Sequence, residues 1–269
     1  MLFNSFAFLF LFFPITIIVS RLLHGFGGPA EQLALLATSL LFYASWDVRF
    51  LPLLIGSILV NYATGQAIWK CSQLQRQQAA SLLLTLGVAV NLLAIGVFKY
   101  AGFFASNINL LLSTSILVGP IILPLGISFF TFEQISFLVD VRRGQSKPSD
   151  PLRYALFVSF FPRVVAGPIL RFGEIIPQLA TGHHRATIGE DLMVGLAIFS
   201  FGLVKKTVLA DGIAPYATAV FHSAASGSPV DFFSPGVACS RIRVSCILIF
   251  PAIPTWLSER HDVSASASR

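Results

Sequence analysis

Charge is what this sequence has least of. Asp, Glu, Lys and Arg together make up 11% of 269 residues, and only 12 of them are acidic. A water-soluble domain carries roughly 25% charged residues, so a hydrated surface of ordinary kind is excluded. Cysteine is nearly missing as well. The three present give no disulfide framework, since Cys71 lies near a basic loop and Cys239 and Cys246 fall in an unusual tail. No internal repeat is visible, and no shift in composition marks off a soluble domain. What fills the chain instead is hydrocarbon: 55% of residues are hydrophobic, 26 are phenylalanine, and the mean hydropathy is +0.79. The expected fold class is all-α, a polytopic transmembrane helical protein in membrane lipid.

The net charge of +6 therefore does not point to nucleic acid. In such a chain basic residues mark loops kept on the cytoplasmic side. The N-terminus has no positive region before its apolar run and no small-residue cleavage site after it, so it reads as a retained span and not a signal peptide. A bilayer core of ~30 Å takes about 20 apolar residues as helix. The candidate spans are Phe3–Ser20, Leu33–Ser45, Phe50–Trp69, Ala79–Phe98 and Met193–Ala210. The second is short for a full crossing. Arg21, Lys70, Arg76, Arg142, Arg143, Lys147, Arg153, Arg171 and Arg185 lie in the connections; placing them inside puts the N-terminus outside.

Two further apolar stretches, Ile108–Val139 and Tyr154–Ile169, are broken by proline and glycine. The first contains Gly119-Pro120 and Pro124-Leu-Gly126; the second contains Phe161-Pro162-Arg163 and Ala166-Gly167-Pro168. Proline removes an amide donor and clashes with the preceding turn. In hydrocarbon the freed backbone groups need protein or a water-filled cavity. Re-entrant pieces around a protected polar interior are expected, with an ordinary proline-kinked helix as the alternative. Because Arg153 and Arg171 flank the second stretch on one side, it is expected to dip in and return.

The residues able to carry chemistry in this setting are few. Glu133 and Asp140 are intramembrane or interfacial carboxylates, and unpaired charge is costly there. Asp140 is expected to pair with Arg142 or Arg143, whereas Glu133 has no basic residue within a helical turn. Arg163, between helix-breaking prolines, either lines a polar passage or anchors at the membrane surface. Lys205 and Lys206 either neutralise an anion or snorkel and pair with Asp211. His183-His184-Arg185 reads as a solvated loop and not a metal tract, and no metal site is expected. His24 with its neighbouring glycines lacks a βαβ context for phosphate binding. His222 and Ser223 lack a carboxylate for a hydrolase triad.

In chain order, SLLFYASWDVRF (Ser39–Phe50), SILVNYATG (Ser57–Gly65), VFKYAGFF (Val97–Phe104), LPLGISFFTFEQISFLVDVRRG (Leu123–Gly144), FPRVVAGPILRF (Phe161–Phe172) and FGLVKKTVLAD (Phe201–Asp211) resemble the membrane-bound O-acyltransferases, in particular the bacterial alginate O-acetyltransferase branch. The resemblance runs from Met1 to about Phe233. It implies a partial fold of that family, with residues 1–233 as the N-terminal part of the transmembrane domain. It also implies acetyl passage from a cytoplasmic donor, acetyl-CoA, with no bound cofactor. The acceptors would be periplasmic polysaccharide acetyltransferase partners, the polymer an exopolysaccharide such as alginate, and the location the bacterial inner membrane. Pro124, Gly126, Glu133, Arg163, Gly167 and Pro168 are the expected lining of a polar tunnel. D-alanyl transfer to teichoic acid, a transporter without visible repeats, and an inert fragment are the alternatives.

The family continues where this chain becomes aberrant, through a stretch resembling YFDFSGYSDMA. Codons compatible with Cys246–Leu257, read one frame over, permit that same peptide. Residues 234–269 are thus expected to be an out-of-frame tail, arising near Ser234–Pro235. Resequencing the locus tests this: an unbroken frame through codon 234 with other codons ends the idea. The family's catalytic histidine lies further downstream, and His261, in the out-of-frame portion, is not its equivalent. The chain alone is accordingly expected to have no catalytic residue and no transferase activity.

Overall fold

The computed structural model describes residues 5–24, 28–112, 119, 121–148, 150–164, 171–173 and 188–204, with isolated positions 207, 208, 212, 215, 218 and 226. Residues 227–269, and with them the whole expected tail, lie outside the described residues. Among those described there are helices and no strands, so the chain is all-α. It divides into two compact units, essentially residues 3–182 and 183–269.

The first unit begins with a π-helical turn, Phe8–Phe12, running into α1 (Phe13–His24). α2 spans Gly28–Ala44 and starts earlier than apolarity suggests, because polar residues at its head find partners: the Ser20 hydroxyl donates to Glu31 Oε1 at 3.0 Å. A 3₁₀ turn, Val48–Phe50, is capped by Asp47, which accepts from the Arg49 amide at 3.0 Å and pairs with its guanidinium at 2.6 Å. That contact holds the Asp47 carboxyl below its usual range. α3 (Leu51–Gln73) follows with Pro52 in its first turn, where a missing amide costs nothing.

α4 (Gln77–Ile95) does not stop near Phe98. It passes through a π-helical segment, Gly96–Tyr100, into α5 (Ala101–Leu112), so Ile108–Leu112 belong to this rod. Two continuous helices, Val48–Gln73 and Gln77–Leu112, are long and apolar enough to cross a membrane. Their outward faces carry Leu59, Leu82, Leu86 and Leu93, all exposed.

α3, α4 and α6 (Ile127–Arg142) pack on one another as the core of the unit. Glycine sets the approach. A methyl group at Gly65 of α3 would sit 2.6 Å from the Phe137 ring, and one at Gly87 of α4 would sit 2.8 Å from Leu138. The register follows from cross-helix contacts. Ser57, Asn61 and Gly65 meet Gln134 and Phe137 in rising order, so α3 and α6 run parallel. Arg142 donates to Ser81 and Gly87 faces Leu138, so α4 runs opposite. The basic ends of α3 and α6 therefore lie together, with Gln66 donating to the Pro148 carbonyl at 2.9 Å.

The expected interruptions at Pro124-Leu-Gly126 and at Phe161-Pro162-Arg163 are present, while Pro120 and Ala166-Gly167-Pro168 lie outside the described residues. Residues 121–126 are non-helical up to Gly126, whose φ of +66° only glycine adopts without strain. The second stretch forms α7 (Pro151–Ser159), breaks at Phe160, and resumes as the short α8 (Phe161–Val164). The Phe161 amide released by the break donates to the Ser39 hydroxyl of α2 at 3.3 Å. This is the protein-supplied partner that hydrocarbon would not provide. Phe172 packs on Tyr154 and Phe157, with centroids 6.0 and 5.3 Å apart.

In the second unit, α9 covers Ile188–Val204, starting before the expected Met193–Ala210 span. Lys205, Lys206 and Asp211, like His183, His184 and Arg185, lie outside the described residues.

Candidate functional site

Helix depth locates the site. A helix rises 1.5 Å per residue, so Glu133 stands about 14 Å along α6 from Arg142 at the basic end. The break after α7 lies at similar depth, because Ser159 is about 12 Å along its helix from Pro151. Both points thus stand at a similar distance from the end where the basic residues lie.

The two broken segments meet there. Arg163 Nη2 donates to Glu133 Oε1 at 2.7 Å, and to the Phe157 carbonyl at 3.2 Å. Side-chain exposure is 3% for Arg163 and 7% for Glu133, so the ion pair is buried. The guanidinium also lies over the Phe157 ring, 5.1 Å from its centroid, where the ring's negative face favours a cation. Glu133 has no local basic neighbour because its partner comes from 30 residues further along.

Backbone reinforces the same junction. Gly126 lies directly against the Val164 carbonyl, in space that a Cβ would occupy. Pro124 is buried beside it. The Phe161 ring seats the break against the first helices, edge-on to Phe12 with centroids 5.3 Å apart and 5.6 Å from Phe42.

Pro124, Gly126, Glu133 and Arg163 thus come together, and Gly167 and Pro168 lie outside the described residues. Glu133 and Arg163 form the buried ion pair, and Gly126 packs against Val164, the residue that follows Arg163. Asp140 is buried, but among the described residues its expected ion pair does not form: Arg142 turns to Ser81 instead, at 3.1 Å. The Asp140 carbonyl accepts from the Gln145 amide at 2.9 Å, closing the loop that follows α6.

A second polar group was not anticipated from sequence. Asn61 and Asn91 exchange amide hydrogen bonds, with Asn91 Nδ2 2.6 Å from Asn61 Oδ1. Asn61 Nδ2 and the Ser57 hydroxyl both donate to Gln134 Oε1, the latter at 2.7 Å. These buried amides join α3, α4 and α6 in the manner of polar contacts between membrane helices. The available signal was a lone asparagine in each of two apolar spans.

No known family profile matches the chain, and no solved structure matches it. Curated proteins do. It is 37% identical to a peptidoglycan O-acetyltransferase of Helicobacter pylori, over 84% of this chain and 47% of the relative. It is 38% identical to the protein named "Probable alginate O-acetylase AlgI" of Azotobacter vinelandii, over 82% of this chain and 44% of that protein. A teichoic acid D-alanyltransferase of Lacticaseibacillus rhamnosus is more distant, at 24% over 46% of this chain and 28% of its own length. The chain spans about half the length of the O-acetylating relatives.

Proposed function

Because this chain belongs to the membrane-bound O-acyltransferases, alongside the alginate O-acetylases, we propose that it is the N-terminal, membrane-embedded part of an O-acetyltransferase. The protein passes acetyl groups from cytoplasmic acetyl-CoA toward periplasmic partners that acetylate a polysaccharide. It sits in the bacterial inner membrane as a multi-pass protein with its N-terminus in the periplasm. The gathering of the basic loops after α3 and α6 at one end favours this orientation. The observation that carries the reading is the 37–38% identity to two O-acetylating relatives over more than four-fifths of the chain. Alanyl transfer is less well supported, because the similarity there is lower and shorter.

Chemically, an acceptor oxygen attacks the thioester carbonyl, the C–O bond forms, the C–S bond breaks, and a base takes the acceptor's proton. This stretch of chain contributes the scaffold and the passage. The base belongs to the downstream part of the family's sequence. Broken helices around Glu133 and Arg163 suit such a passage, since irregular backbone at membrane depth must be shielded from lipid.

The test is to express the gene with its periplasmic partners and measure base-labile acetate on the secreted polymer. We expect acetate when the frame is restored near codon 234, and none from the 269-residue chain. Lack of acetate with the restored frame and full partner set would remove the proposal.

A further inference from the structure

α4 and α6 run antiparallel, and along one rim of their contact both leave apolar side chains partly open. On α6 these are Phe132, Ile135 and Val139, and the next step of three residues along the same stripe is Arg142. On α4 they are Val88 and Leu92, on the stripe that begins at Ser81. The Ser81 hydroxyl accepts from Arg142 Nη2 at 3.1 Å, so the two stripes lie side by side and finish together. Arg142 and the exposed Arg143 thus stand at the mouth of an apolar seam. Neither pairs with a carboxylate among the described residues: Asp140 is buried, and Asp150 faces Arg153 at 3.5 Å.

We propose that this rim seats one anionic phospholipid, with its phosphate at Arg142 and Arg143 and an acyl chain along the seam. The site rests on the membrane embedding proposed above and not on acetyl transfer. Its length suits the ligand. Phe132 stands about 15 Å along α6 from Arg142, which is half of a ~30 Å hydrocarbon core and so the depth of one leaflet. Charge selects the headgroup. Guanidinium N–H donors match phosphate oxygens, and basic positions between membrane helices are where anionic headgroups bind. A zwitterionic lipid brings a cation of its own, which these arginines repel; phosphatidylglycerol brings none. A free phosphate makes no use of the seam. A second copy docked rim to rim in the same membrane would set its arginines against these.

The experiment titrates the full chain, purified in detergent, with dioleoyl-phosphatidylglycerol or dioleoyl-phosphatidylcholine and follows each bound lipid by native mass spectrometry. The wild type is expected to hold one phosphatidylglycerol about 10- to 30-fold more tightly than phosphatidylcholine. Arg142→Gln and Arg143→Gln are each expected to weaken phosphatidylglycerol by about 5-fold and to leave phosphatidylcholine unchanged. Arg143 has no partner within the chain, so its variant decides the matter if Arg142→Gln is not monodisperse. Lys70→Gln, on α3, is expected to change nothing, and glycerophosphoglycerol or inorganic phosphate at the same concentration is expected not to bind. Equal affinity for the two lipids, or no loss in the arginine variants, would overturn the site. So would an equal loss in Lys70→Gln, which means a diffuse surface field, binding of the tail-less phosphates as tight as that of the lipid, or a dimer mass that disappears as lipid binds. Equal affinities in a chain that resists carbonate extraction refute the lipid site and leave the embedding standing, whereas release by carbonate removes the embedding itself.

Discussion

Removing one partner of the Glu133–Arg163 pair should cost far more than removing both. Arg163→Met leaves a carboxylate whose side chain is 7% exposed with no countercharge. Breaking a buried pair in this way costs about 3–5 kcal/mol, whereas replacing both partners by apolar or neutral groups of similar volume is often neutral. Glu133→Gln strands the guanidinium, but the Phe157 carbonyl and ring still receive it, so about 2–4 kcal/mol is expected. The double variant, Glu133→Gln with Arg163→Met, should then recover at least about 2 kcal/mol relative to the sum of the singles. Thermal unfolding of the detergent-solubilised chain, followed by fluorescence-detected size exclusion, reads these differences. For a chain of this size each kcal/mol is about 2–4 °C, so Arg163→Met should melt roughly 6–20 °C early and the double variant much closer to wild type. Additive losses, or an Arg163→Met variant within about 2 °C of wild type, would show that the two broken segments are not joined through this pair.

Two further perturbations follow from the packing. Gly126 and Gly144 both have positive φ, +66° and +74°, but a methyl group meets the Val164 carbonyl at the first and open space at the second. Gly144→Ala should cost only the conformational penalty of about 1–2 kcal/mol, and Gly126→Ala should abolish recovery of folded protein; equal melting temperatures would refute the close approach. In the amide cluster, Asn61→Leu removes the residue that touches both Asn91 and Gln134 and should destabilise more than Asn91→Leu, each within about 2 kcal/mol. The reverse order in the same melting assay would place the hub elsewhere.

The helical class and both breaks were readable in the sequence, because proline and glycine act locally and their effect on backbone is fixed wherever they stand. Arg163 and Glu133 were each identifiable as polar groups out of place in apolar surroundings. Their partnership was not, since no local rule connects positions 30 residues apart. Asp140 shows the opposite error. Proximity in sequence suggested Arg142 or Arg143, yet Arg142 points about 200° away on the helix and reaches Ser81 across the interface instead, and among the described residues Asp140 forms no ion pair with Arg143 either. The fourth span, expected to end at Phe98, continues to Leu112, and no proline interrupts residues 99–112. A π-helical segment, Gly96–Tyr100, carries the helix past the expected end.

The two polar groups differ in kind, and their position on α6 explains why both exist. Glu133 and Gln134 are consecutive, so they project about 100° apart. One faces the broken segment and the other faces α3 and α4. Amides carry no charge, and their hydrogen bonds can fix helices in register without any ionic desolvation. A carboxylate at the same depth demands a cation, and so dictates where the interrupted chain must dock. Had both positions been amides, the broken segment would have had no electrostatic reason to dock there. α6 thereby joins a rigid group of long helices to a stretch of irregular backbone, by an ion pair on one face and by amide hydrogen bonds on the other.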